Sequence, residues 1–162
     1  MRYKRNIMWQ RTQSIFFFIA LMLNVAIFWL DLANISLDGV LHSFNLYKLQ
    51  VVDSGEVIYS NIALTILCSL CIALCLVTLG MFKKRQLQIK LAKLLLLVQV
   101  GFLVAIFFIV DGAVTNSASV SLGTVEYYIG AYFALLPLIF IFLAIKAIKK
   151  DEDLVRAADR IR

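Results

Sequence analysis

Three cysteines lie close together in one apolar segment, and their spacing comes nearest to a chemical motif in this sequence. Cys68, Cys71 and Cys75 follow the pattern C-x2-C-x3-C, which places them on one face of a helix. A C-x-x-C pair is typical of redox or metal sites. No second cysteine pair accompanies them, and the segment contains no histidine or carboxylate. We therefore expect the three cysteines to pack as small apolar side chains.

Other chemistry is weakly represented. His42 is the single histidine, cannot form a metal site alone, and is expected on the surface. The sequence has no glycine-rich phosphate loop, Ser/His/Asp set or HExxH motif. Its long uncharged segments also lack the internal charged residue on which proton-coupled transporters depend. We predict no catalytic, cofactor-binding or metal-ligating residue, and a protein that is not an enzyme.

Two amides lie within the apolar segments, Asn24 in the first and Gln99 in the third. A polar side chain inside a membrane helix usually forms a hydrogen bond with a neighbouring helix. We expect this of both residues, with ligand contact as the alternative.

The composition indicates that the segments carrying the cysteines and the two amides lie in a membrane. Hydrophobic residues make up 62% of the 162 residues and charged residues 16%, against about 45–50% and about 25% in soluble domains. Four uncharged runs are each close to the roughly 20 residues that cross a bilayer. They cover residues 12–30, 57–82, 94–110 and 127–145.

The fold class that follows is an all-α membrane protein, a four-transmembrane-helix bundle in a single domain over residues 1–162. Helices are predicted because backbone amides must be bonded locally in lipid. The first run is longer than the apolar core of a cleavable signal peptide, so we expect it to be retained. The predicted helices cover about residues 9–32, 58–82, 86–110 and 126–150.

A hairpin is predicted between the first two helices, in FNLYKLQVVDSGEVIYS. In an extended chain the side chains along 44–51 alternate between two faces, with Phe44, Leu46, Lys48 and Gln50 on one and Tyr47, Leu49 and Val51 on the other, and Asp53-Ser54-Gly55 is typical of a turn. We predict a small β-hairpin cap at about 43–60. A lone hairpin is marginally stable, so we expect it to pack on the helix ends or on the connection 111–126. A third strand there, with an irregular loop as the alternative, would use Val120, Leu122 and Val125.

The charges predict an orientation. Fifteen of the sixteen basic residues lie before the first uncharged run, between the second and third runs, or after the fourth; the exception is Lys48. The positive-inside rule therefore places both termini and the middle loop in the cytoplasm, and the hairpin on the extracytoplasmic side. Topology and anionic lipid headgroups explain this basic excess more simply than nucleic acid does, so nucleic acid is not an expected partner.

The closing stretch IKKDEDLVRAADRIR, residues 148–162, has the pattern of a helix. Leu154, Ala158 and Ile161 fall at i, i+4 and i+7, and Lys149–Asp153 is an i,i+4 ion pair. We predict a cytoplasmic extension of the fourth helix, a tail helix over 148–162. Because an isolated helix of this length is marginal in water, it should dock on the middle loop, on the membrane surface or on a partner.

Three stretches resemble a bacterial family of small four-helix membrane proteins whose function is unassigned. The tail IKKDEDLVRAADRIR is the most specific of them, and MWQRTQSIFF (8–17) and KKRQLQIKLAKL (83–94) resemble that family's opening and its middle loop. In that family the first residue often falls at the position of Met8. The resemblance implies the four-helix topology and a bacterial inner-membrane location, and supplies no activity, substrate or catalytic residue.

We therefore predict a non-enzymatic accessory or scaffolding subunit that docks a membrane or cytoplasmic protein and contacts anionic lipid headgroups. The alternative is a small-molecule (lipid or quinone) binding or thiol-redox membrane protein that uses the interior around Asn24, Gln99 and the cysteines. The predicted interaction residues lie in the middle loop, the tail helix and the first helix: Arg11, Lys83, Lys84, Arg85, Lys90, Leu154, Val155, Arg156, Asp159 and Arg160.

Overall fold

The computed structural model describes residues 3–37, 39–81, 84–117 and 124–160, most of which are helical. The elements follow in the order α1 (Tyr3–Ala26), a 3-10 turn (Ile27–Trp29), β1 (Asp31–Leu37), β2 (Val40–Asn45), β3 (Lys48–Val51), β4 (Val57–Ser60), α2 (Ile62–Gly80), α3 (Arg85–Ser117), β5 (Thr124–Tyr127), α4 (Ile129–Phe133) and α5 (Leu136–Arg160).

Within the described residues, three helical segments are long and apolar enough to cross a membrane. They are Ile62–Gly80, Arg85–Ala113 and Ile129–Asp153, and a shorter apolar helix covers Gln13–Trp29. Only 28%, 28% and 39% of the most apolar windows of the three segments are buried inside the protein. Most of their apolar side chains therefore face outward, and lipid is the environment that such a surface fits.

The long helices contact one another in a ring. α1 packs against α2 and α5, and α3 packs against the same two helices. Each contributes fully buried side chains to one core, including Phe17 from α1, Leu64 from α2, Phe102 from α3 and Ile141 from α5. α1 and α3 therefore share the same two neighbours, and the four helices enclose one apolar interior.

A five-stranded antiparallel sheet lies at one end of the helices, in the order β4-β3-β2-β1-β5. Its inner face adds Ile35, Phe44 and Leu49 to the core. The predicted hairpin at 43–60 is therefore too small, because its two strands, β3 and β4, form one edge of a larger sheet. We call this end, with α4, the sheet end, and the opposite end, where α3 begins and α5 extends, the charged end.

The predicted alternation along 44–51 is wrong, because the chain bends at Leu46 and Tyr47 between β2 and β3. Leu46 is buried together with Phe44 and Leu49. The extra strand suggested by Val125 is present as β5, where Val125 lies opposite Ile35 in β1. Val120 and Leu122 lie outside the described residues.

Two glycines close the hairpins of the sheet. Gly39 (φ 79°) lies between β1 and β2, where Leu37 faces Val40. Gly55 (φ 70°) lies in the loop between β3 and β4, where its N–H donates to the Val51 carbonyl at 2.9 Å. Residues other than glycine rarely adopt such a positive φ, so both turns depend on glycine at these positions.

The last apolar segment is broken near Pro137, where the sequence predicts a kink. α4 ends at Phe133 and α5 begins at Leu136. Proline lacks the N–H that an α-helix needs at this point. The next amide, that of Leu138, donates to the carbonyl of Leu135, three residues earlier, at 3.2 Å. The break sets α4 and α5 apart as two separate helices.

The short helix α4 lies directly on β1. Tyr128 N–H donates to the Leu32 carbonyl at 2.9 Å, and Gly130 is buried against the backbone of Asp31. A Cβ atom at Gly130 would overlap the Asp31 carbonyl oxygen and lie 3.1 Å from the Leu30 Cβ. The absence of a side chain at Gly130 therefore permits this contact.

Candidate functional site

The charged end is built on a tight connection between α2 and α3. Lys84 N–H donates to the Met81 carbonyl at 3.0 Å, and Gln88 N–H donates to the Lys84 carbonyl at 2.9 Å. The second bond starts α3. This brings the basic residues Lys84 and Arg85 to the first turn of α3, beside the region where α5 extends.

An ion pair joins α3 to α5 at this end. Arg85 Nη1 lies 3.0 Å from Asp151 Oδ2, with the arginine side chain 30% exposed and the aspartate side chain 11% exposed. Asp151 continues the buried stripe of α5 formed by Ala144 and Ile148. A carboxylate in such a position needs a charged partner. The start of the tail helix is therefore joined to the first turn of α3, next to the middle loop.

The same end contains a second contact between helices. Gln88 is buried and donates from Nε2 to the Thr78 carbonyl at 3.2 Å. Thr78 in turn donates from its hydroxyl to the Leu74 carbonyl at 2.6 Å. The Gln88 bond occupies a backbone carbonyl in the last turn of α2, where carbonyls lack intrahelical partners, and ties α2 to α3, whereas the Thr78 bond lies within α2.

The predicted interaction residues are only partly placed by the structure. Lys84 and Lys90 are exposed, and Arg85 contacts Asp151. Lys83 lies outside the described residues, as do the side chains of Arg11, Leu154, Val155, Arg156, Asp159 and Arg160.

Sequence reasoning missed Asp151. Its signal was available, because Asp151 lies three residues after Ile148, on the same helix face as the apolar residues of α5. An acidic residue in that position predicts a partner from another element, and i,i+4 spacing along α5 does not reveal it.

The interior contains a hydrogen-bonded link between three elements. Gln99 Nε2 lies 3.1 Å from Asn24 Oδ1 and 3.4 Å from the Ala134 carbonyl oxygen, and donates to these two acceptors. Asn24 and Gln99 are fully buried, and the prediction that each would bond to a neighbouring helix is confirmed. Ala134 lies in the break between α4 and α5. Because Leu138 N–H donates to the Leu135 carbonyl there, the Ala134 carbonyl remains accessible to Gln99.

The cysteines pack in the same apolar interior. Cys68, Cys71 and Cys75 are fully buried, and none forms a disulfide bond. Cys68 Sγ lies 3.6 Å from the Asn24 backbone carbonyl and donates a weak hydrogen bond to it. No cluster of metal-binding side chains occurs among residues that the structure describes.

The expectation of a surface histidine is wrong. His42 is buried in β2, and its Nδ1 lies 3.0 Å from the Val40 carbonyl oxygen and 3.3 Å from that of Ile35. Both neighbours are acceptors, so Nδ1 carries a proton and donates to them. The hydrogen bonds give His42 a structural role at the β1–β2 hairpin.

The geometry is accompanied by one family match. The family described as Domain of unknown function (DUF4293) matches residues 9–161, which is nearly the whole chain. No curated protein matches the sequence. Because the match covers the helices, the sheet and the charged end together, the chain belongs to the DUF4293 family.

Proposed function

We propose that this chain is a non-enzymatic accessory or scaffolding subunit of the bacterial inner membrane. In this proposal four helices cross the membrane and both termini lie in the cytoplasm. The charged end docks a membrane or cytoplasmic protein partner. The observation that carries the proposal is the Arg85–Asp151 ion pair, which joins the middle loop and the tail helix into one surface.

The fourth span of this proposal is α1. Its apolar part, Gln13–Trp29, is shorter than the other candidates, but it completes the ring of helices by packing against α2 and α5. Exposed aromatic residues mark the membrane boundary at the sheet end, as expected of an interfacial belt. They include Trp29, Tyr59, Tyr128 and Tyr132.

The proposed orientation rests on the segregation of basic residues, and it can be tested by labelling. Ser54→Cys lies in the exposed β3–β4 loop, and Gln86→Cys lies in the exposed first turn of α3. A membrane-impermeant thiol reagent should label the first variant in intact cells and the second only after lysis. Labelling of Gln86→Cys in intact cells would mean that the orientation is opposite to the proposed one.

The proposed docking surface begins where the Arg85–Asp151 pair holds α5. Beyond the pair, Glu152 is half-buried and Asp153 is exposed, and the helix continues to Arg160. The sequence there mixes acidic and basic residues. Complementary charges mainly contribute specificity in protein contacts, which suits a docking surface better than a topological signal.

Two sets of variants test this surface. Deletion of residues 154–162 keeps the ion pair but removes the extension, so the partner should be lost while insertion is retained. The interchanged variant Arg85→Asp/Asp151→Arg should still bind the partner, whereas Arg85→Asp alone should bind it more weakly. The measurement is cross-linking in native membranes followed by mass spectrometry. If the truncated chain retains every cross-linked partner, the proposed surface is wrong.

The hydrogen bonds of the interior support helix packing there over the alternative of a small-molecule or thiol-redox site. The side chains proposed for it already contact other parts of the chain: Gln99 bonds to Asn24 and Ala134, and Cys68 bonds to the Asn24 carbonyl. We therefore assign these residues to helix packing.

A further inference from the structure

The Arg85–Asp151 ion pair aligns α3 with α5 and shows which lysines lie at one depth. Lys90 is five residues after Arg85 in α3, and Lys146 is five residues before Asp151 in α5. The two helices run in opposite directions, so both lysines lie about 7.5 Å from the ion pair, toward the sheet end, at 1.5 Å per residue. Lys93 lies one turn further. All three side chains are exposed.

This depth corresponds to one surface of the bilayer. Between Lys93 and Asp111, α3 contains no charged residue over 94–110. The eighteen-residue separation corresponds to about 27 Å of helix, close to the hydrocarbon thickness of about 30 Å. In the last segment, residues 129–145 are likewise uncharged and end at Lys146. Both helices therefore place their lysines where lipid headgroups begin.

Among the residues that the structure describes, no acidic residue lies at this depth to neutralise the lysines. α1 and α2 contain no Asp or Glu, α3 has none before Asp111, and the first acid of α5 is Asp151, which contacts Arg85. Exposed apolar side chains adjoin the lysines on the bilayer side, namely Leu94 and Leu97 on α3 and Phe142 and Leu143 on α5. Cations beside an apolar surface match a phosphate joined to acyl chains.

We propose that Lys90, Lys93 and Lys146 form a lysine collar that binds anionic phospholipids in the leaflet at the charged end. The lysines contact the lipid phosphates, and the neighbouring apolar side chains contact the acyl chains. The collar rests on the proposed crossing of the membrane by α3 and α5. It is separate from the protein-docking surface proposed above, which lies beyond the Arg85–Asp151 pair, so the collar and the docking surface can each fail alone. Each basic residue beside an anionic membrane surface strengthens binding roughly fivefold.

The test is lipid retention by the full chain. Vesicles of phosphatidylcholine with about one fifth phosphatidylglycerol supply the anionic lipid. The protein is reconstituted, extracted in mild detergent, purified, and its retained lipids are measured by mass spectrometry. Phosphatidylglycerol should be enriched several-fold over its share in the vesicles. Lys90→Gln/Lys93→Gln/Lys146→Gln should reduce the enrichment to about that share, while the corresponding triple arginine variant should keep it.

Two controls make the result specific. Lys48→Gln removes a lysine at the sheet end and should leave the enrichment unchanged. The wild-type protein should lose the phosphatidylglycerol enrichment when it is washed in about 1 M salt, where the Debye length is about 3 Å. Its helicity should be unchanged. The collar is overturned if the wild-type protein retains both lipids in vesicle proportions. It is also overturned if the folded glutamine variant retains as much phosphatidylglycerol as wild type, or if the enrichment survives in high salt.

Discussion

At the sheet end the elements are joined mainly through their backbones, whereas at the charged end they are joined through side chains. Gly130 packs against the Asp31 backbone, and β5 is held by strand pairing with β1. At the other end, α5 meets α3 through an ion pair between Arg85 and Asp151. The two ends therefore differ in what is needed to separate their elements.

Backbone contacts are indifferent to salt and to charged ligands, because no ionic group contributes to them. An ion pair at a partly exposed position weakens as salt screens it, and a partner with suitable charge can compete for either side chain. The sheet end is therefore suited to fixing the helix positions. The charged end is suited to reversible contacts, which is why both proposals place function there.

The strongest test of the comparison is Gly130→Ala. The new Cβ would overlap the Asp31 carbonyl oxygen, so α4 or β1 must shift. Overpacking of this kind typically costs about 1–3 kcal/mol, and we expect a clear fall in the apparent melting temperature in detergent, at low and high salt alike. Gly101→Ala is the matched control, because nothing lies within 4 Å of its Cβ position. It should leave stability equal or higher, since glycine costs roughly 0.5–1 kcal/mol in a helix.

The interior link should respond next most strongly. Gln99→Leu leaves Asn24 Oδ1 and the Ala134 carbonyl without the donor that now serves both. Hydrogen bonds between membrane helices average about 0.6 kcal/mol, so we expect a loss of roughly 1–2 kcal/mol. A double-mutant cycle with Asn24→Leu, followed by reversible denaturation, measures the coupling. Additive effects of the two substitutions would mean that the Gln99–Asn24 bond contributes nothing to stability.

The sequence predicts the helices of this fold better than its sheet. Uncharged runs of about 20 residues are a strong signal, since lipid leaves few alternatives to a helix. The first predicted helix extends too far, to residue 32, because apolar residues after Ala26 serve the 3-10 turn and β1. The β1–β2 hairpin had a signal in the pair Asp38-Gly39, typical of a two-residue turn. That signal was missed, because the predicted strands were limited to the hairpin at about 43–60.

Contacts between distant residues were predictable only where chemistry forces them. Asn24 and Gln99 had to find partners inside an apolar interior, and they found each other. Their third partner, the Ala134 carbonyl, depends on the helix break near Pro137, whose hydrogen bonds the sequence does not reveal. The pairing of Arg85 with Asp151 likewise depends on how α3 and α5 are aligned, which no local spacing encodes.

The ion pair at the charged end should have a smaller effect on stability than either substitution above. Arg85 is partly exposed, and glutamine can still donate a hydrogen bond to the Asp151 carboxylate, so we expect Arg85→Gln to cost only about 1 kcal/mol. The loss should be largest at low salt and smaller at about 1 M, where the exposed part of the Arg85 side chain is screened. Melting of wild type, Arg85→Gln and the interchanged Arg85→Asp/Asp151→Arg variant at both salt concentrations measures it. A deficit in Arg85→Gln that is unchanged by salt would contradict the ionic account of this end.

The smallest expected effect concerns a charge contact at the sheet end, in β5. Burial raises the pKa of Tyr127 above its ordinary value, and the neighbouring Asp111 carboxylate raises it further. Asp111→Asn should therefore lower the pKa of Tyr127 but leave it above that of free tyrosine, because desolvation is the larger cause. Ultraviolet titration of tyrosinate, with Tyr127→Phe as the subtraction, measures the shift. The folded protein holds the phenolic proton of Tyr127 more tightly than the unfolded chain does. The contribution of this proton to the free energy of unfolding is therefore present below pH of about 10, and it is lost as the pH rises through the raised pKa of Tyr127. Wild type should thus lose more stability than Tyr127→Phe in strong alkali only. A difference between them at neutral pH that changes with salt would show that the sheet end also relies on charge, and the contrast between the two ends would have to be given up.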